Sequence, residues 1–171
     1  EHGVDSKEKD NEGPYLIVLS ARNEERLRAY AANLLDYIDR VLKVETRLKE
    51  SGQDEIRNSN PPDQGRTRLE NISFTMQVGR EAMEERLGIL VKSTRVLSEK
   101  LQGFLSGETV EDLYRGQVKR NKAALSVFTV DEDMAKAIDA WIDKRKYAKL
   151  LNFWVNGGQV DWQKLYDQRK T

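Results

Sequence analysis

A single imidazole, His2, and no cysteine leave these 171 residues without thiol nucleophiles, disulfides or thiolate metal sites. His2 lies in a charged leading stretch, where an incidental residue is the expected reading and a catalytic base or metal ligand is not. Carboxylates come in close sets (Glu24 with Glu25, Glu84 with Glu85, Asp131 with Asp133), but each stands among other charges. A catalytic carboxylate needs burial or a like-charged neighbour to raise its pKa, and these spacings predict solvated faces instead. The run Gly103-Phe104-Leu105-Ser106-Gly107 lacks the G-x-S-x-G order of a nucleophile elbow and reads as a helix end. Gly157-Gly158 follows a helical pattern, so it does not cradle phosphate at a helix start. No catalytic, cofactor or metal site is expected.

Two clusters point to binding instead. Arg115, Lys119, Arg120 and Lys122 form a local basic group beside Tyr114, suited to a phosphate-bearing partner or to solvent at a strand exit. The second is apolar: Met134, Ile138, Trp141 and Ile142 recur at helical spacing, followed by Tyr147, Leu150, Leu151, Trp154 and Trp162. Such a stripe serves equally as core or as a contact surface, since Trp and Tyr dominate interface hot spots.

These residues need elements to hold them. Residues 1–13 are charged and nearly free of apolar side chains, with no signal-peptide core, and read as a disordered linker. Tyr15 to Ser20 is a short apolar, β-branched run expected to form a buried strand. Asn23 caps a helix whose first turn holds Glu24 and Glu25 and whose stripe is Leu27, Ala31, Leu34, Ile38 and Leu42. Residues 51–66, with Pro61-Pro62, read as a flexible loop. Capping pairs Thr67/Glu70 and Thr129/Glu132 open later helices, and Gly79, Gly107 and Gly157 end helices. Leu87, Ile89 and Val91 alternate as a strand with one buried face, Ser93 or Thr94 starts a helix carrying Leu97, Leu101 and Phe104, and Leu113 to Val118 forms a third strand. Asp161 caps a last turn carrying Trp162, Leu165 and Tyr166.

The expectation is an α/β (α+β) fold: a three-stranded sheet with about three helices over residues 14–120, a helical extension over 121–167, and a tail over 168–171. Basic and acidic residues balance at 29 each, so no global field draws nucleic acid or anionic lipid. The apolar runs are too short to span a bilayer, which makes cytoplasmic the default location.

Four strings in order carry a family resemblance. They are Tyr15 to Ala21 with Glu24 to Leu27, Phe74 to Leu87, Leu113 to Lys122, and Trp154 to Tyr166. Together they resemble the flanking subdomain that follows a ketosynthase in bacterial trans-acyltransferase polyketide synthases, over about residues 14–167. The stretch from Val41 to Arg66 is longer than that family's usual helix-to-helix connection. The resemblance implies a non-catalytic scaffold without the ketosynthase's own Cys and His residues. It further implies that the C-terminal helices are an acyltransferase-docking remnant that joins neighbouring synthase chains side by side. On that reading Met134, Ile138, Trp141, Ile142 and Arg145 meet the same motif on another chain. The alternative is a docking platform for a discrete acyltransferase or an acyl carrier protein, through Arg115, Lys119, Arg120 and Lys122.

Overall fold

From Pro14 the chain enters strand β1 (Tyr15–Ala21), followed by the long helix α1 (Glu24–Ser51). Then come α2 (Arg68–Val78), β2 (Glu85–Val91), α3 (Thr94–Leu105), β3 (Leu113–Gln117), α4 (Glu132–Asp143), α5 (Tyr147–Val155) and the short α6 (Gln163–Asp167). The structure, a computed structural model, describes residues 14–51, 68–78, 82–118 and 132–167. Expectations for the 1–13 linker, the loop after Ser51, Thr67, Gly79, Lys119, Arg120, Lys122, Thr129 and the 168–171 tail lie outside those residues.

The sheet has strand order β1-β2-β3 and both pairings are antiparallel, so the α+β fold is the one expected. Local signals act as their residue types suggest. Asn23 Oδ1 accepts from the Arg26 amide at 2.9 Å, and Ser93 Oγ accepts from the Val96 amide at 3.2 Å. Gly107 ends α3 in the left-handed region (φ 76°), which a β-carbon would resist.

Two cores flank the sheet. On one face Ile17, Leu87 and Ile89 meet Leu27, Ala31 and Ile38 of α1 and Leu97 and Leu101 of α3, all sealed from solvent. On the other, Leu16 and Val18 meet Ile142 of α4, Leu150, Leu151, Trp154 and Val155 of α5, and Trp162 and Leu165. The C-terminal helices therefore pack back onto the sheet as its second layer. Because β1 is apolar at odd and even positions alike, a sheet covered on one face alone would leave Leu16 and Val18 in water. The helices from Glu132 onward supply that second cover, and β2 is buried on both faces rather than one.

Helix α2 runs along the outer side of β1. The Leu16 carbonyl accepts hydrogen bonds from Ser73 Oγ (2.8 Å) and Gln77 Nε2 (2.9 Å) there, and both side chains are buried. Leu101, at 0% exposure, is a fair gauge of the first core. Leu101→Ala should cost about 2–5 kcal/mol in urea unfolding, and an unchanged midpoint would remove it from the core.

Candidate interaction site

Helix α5 sits down on the sheet because two glycines leave room for it. A β-carbon at Gly88 would lie 2.8 Å from Leu151 Cδ2, and one at Gly116 would lie 2.3 Å from the Val155 carbonyl oxygen. Gly88 stands across from Tyr114 and Gly116 across from Arg86, so the two openings are neighbours on one face.

Arg86 fastens the far end of that helix. It is 7% exposed, and its Nη1 donates to the carbonyls of Trp154 (2.8 Å) and Gly158 (3.2 Å), while Nε donates to Met83 O (2.9 Å). The guanidinium lies 5.0 Å from the Trp154 ring centroid. A cation on the last carbonyls of a helix suits the negative end of its dipole. Burial pushes the Arg86 pKa down from its ordinary value. Trp154 also meets Trp162 edge-on, centroids 6.1 Å apart, which holds the Gly157–Asp161 turn against α5. Asp161 Oδ1 accepts from the Gln163 amide at 3.2 Å, the cap expected of it.

Between α4 and this turn lies a cleft of about 630 Å³, with Ile138, Ile142, Val160 and Trp162 on its walls and Arg86 at its base. Lys164 Nζ and Asp139 Oδ1, 2.9 Å apart, bridge α6 to α4 at its rim, and that carboxylate raises the Lys164 pKa.

The expected contact stripe points inward. Ile142 is 2% exposed and belongs to the second core, which corrects its place as a partner contact. Ile138 and Trp141 are half-buried against the same core, and Trp141 packs edge-on to Phe153 at 6.0 Å. Met134 is half-buried; Arg145 is exposed in the α4–α5 turn with φ 55°. The outward side of α4 carries Glu132, Asp133, Lys136, Asp139 and Asp143, all exposed. Arg115 is also engaged within the fold. Its Nη2 lies 3.1 Å from Glu24 Oε1 and 4.0 Å from buried Glu85 Oε2, and its guanidinium covers Phe104. Gln117 bonds the other oxygen of Glu85.

One surface escaped the pattern reading. The buried positions of α1 end at Ile38, yet the helix continues to Ser51. Tyr37, beside Ile38, and Val44 are each 46% exposed, and Val41 and Leu48 share their stripe, roughly 80° around the helix from the buried one at 100° per residue. The 4-3-4 spacing of 37, 41, 44 and 48 was the available signal.

Among the described residues no group of three or more His, Cys, Asp or Glu could hold a metal ion, and no helix is long and apolar enough to cross a membrane. Residues 54–108 match the family model described as RhiE-like, KS-MAT linker domain. Over that stretch the chain is similar to the linker that follows a ketosynthase in polyketide synthases. More particularly, the chain is 44% identical over 158 residues to "Polyketide synthase PksL" of Bacillus subtilis (strain 168), which covers 92% of the chain and 3% of that synthase. It is 42% identical over 153 residues to "Polyketide synthase PksM" of the same strain, covering 90% of the chain and 3% of the synthase. The chain thus spans a small fraction of these curated relatives. Among solved structures, it matches the ketosynthase from module 6 of the bacillaene synthase of Bacillus subtilis 168 with TM-score 0.69 and 30% identity, over 89% of this chain and 23% of that one. The ketosynthase from module 1 of the bacillaene synthase of Bacillus amyloliquefaciens FZB42 gives TM-score 0.67 and 32% identity, over 88% and 23%.

Proposed function

We propose that this chain is a non-catalytic scaffold segment of a trans-acyltransferase polyketide synthase, which sets the spacing between a ketosynthase and its downstream neighbour and lets synthase chains associate side by side. The spacing role rests on the two-sided core, because a sheet clamped between two helical layers has little freedom to bend. The lateral contact is assigned to the projecting half of α1, not to α4. The observation that carries it is the pair of exposed apolar residues Tyr37 and Val44 on a heptad-like stripe that starts in the last buried turn and runs on past it. Such a stripe is suited to a second copy of itself.

About three turns of helix bury less than the roughly 1,200 Å² of a stable interface, so one contact is weak and gains strength by repetition. Sedimentation at millimolar protein should show reversible dimers. Val44→Asp should abolish them while shifting stability by no more than about 0.5 kcal/mol, as for other surface changes. Ile138→Asp should leave dimerisation in place. A strict monomer, or dimers lost with Ile138→Asp and kept with Val44→Asp, would refute the assignment. Docking of a discrete acyltransferase or acyl carrier protein through the basic cluster has less support, since Arg115 is held by Glu24.

A further inference from the structure

Arg86 is a buried cation whose described hydrogen bonds all go to main-chain carbonyls, with the Trp154 ring against its guanidinium. Its Nε and Nη1 are taken, its Nη2 makes no hydrogen bond to a described residue, and no described carboxylate pairs with it. The burial of a charge without a counter-ion is costly, and a helix terminus offsets only part of that cost. The guanidinium lines the cleft beside α4, whose walls set Ile138, Val160 and Trp162 among polar groups such as Gln77 and Gln159. Of the acidic groups at the rim, Asp139 pairs with Lys164, and Asp161, which accepts from the Gln163 amide, also acts on Lys164. The volume, about 630 Å³, lies inside the range of roughly 300–1,000 Å³ common to ligand pockets.

We propose that this cleft docks a segment of a partner polypeptide that presents a carboxylate between apolar side chains, the carboxylate pairing with Arg86 Nη2. The apolar neighbours would lie on Ile138, Val160 and Trp162, where desolvation strengthens the ion pair. This surface is separate from the α1 stripe, so either assignment stands or falls alone.

The test uses the capped tripeptide acetyl-Leu-Glu-Leu-amide, titrated into the fluorotryptophan-labelled chain and followed by fluorine NMR. The resonances of Trp154 and Trp162 should shift saturably, and the Glu-to-Gln peptide should bind at least about tenfold more weakly. Arg86→Met should abolish binding. Because that variant also loosens α5, Ala135→Phe, at an exposed cleft-lining position remote from the guanidinium's bonds, should block binding in a normally folded chain. Equal affinity for the Glu and Gln peptides, no saturable shift, binding undiminished by Ala135→Phe, or shifts caused by inorganic phosphate and not by the peptide would each overturn the proposal.

Discussion

Gly116→Ala should cost about 3 kcal/mol or more and lower the melting temperature by roughly 6–12 °C, despite adding one methyl group. The new β-carbon would stand 2.3 Å from the Val155 carbonyl oxygen and 2.8 Å from its carbon, both main-chain atoms. A side chain rotates out of a clash; a helix backbone moves only as a body. Lifting α5 would also draw Leu151 and Val155, each at 0% exposure, away from the sheet. Gly88→Ala is the matched control, since its closest neighbour is the tip of Leu151, and it should cost clearly less. Thermal melts followed by circular dichroism decide the matter. Equal melting temperatures for Gly116→Ala and the parent would mean that α5 does not rest on β3 as described.

The second large effect is expected at Ile142. Ile142→Asp places a carboxylate at 2% exposure in the cluster that holds Leu150, Leu151 and Val155. The cost should be about 4 kcal/mol or more, a large share of the 5–15 kcal/mol that holds a typical domain together. Urea unfolding should show a sharply lowered midpoint or a chain already partly unfolded in water. Parental stability with lost self-association would instead place Ile142 on an outer surface.

The sequence made local devices readable because their causes are local. Asn23, Ser93 and Gly107 each act within a few residues of themselves, and all perform as their types suggest. The continuous apolar run of β1 announced burial, and its even positions, Leu16 and Val18, already required a second covering layer. What the pattern did not disclose was where that layer came from. A helical stripe such as Ile138, Trp141 and Ile142 reports that one side seeks an apolar neighbour, and the neighbour's identity depends on contacts distant in the chain. Arg86 was hidden for the same reason: its partners, Trp154 and Gly158, are some seventy positions away. The α1 stripe was readable from spacing, but the preceding turns share its helical period, so the change of face leaves no break in the pattern.

The bonds from Ser73 and Gln77 to the Leu16 carbonyl have a consequence for how such units behave when crowded. A bare outer strand is a template on which foreign strands polymerise; here helix side chains plug one border, and the opposite border is a five-residue strand bearing Arg115. Growth by strand addition is discouraged at both ends, so the sheet itself offers little purchase for fusing one copy to the next.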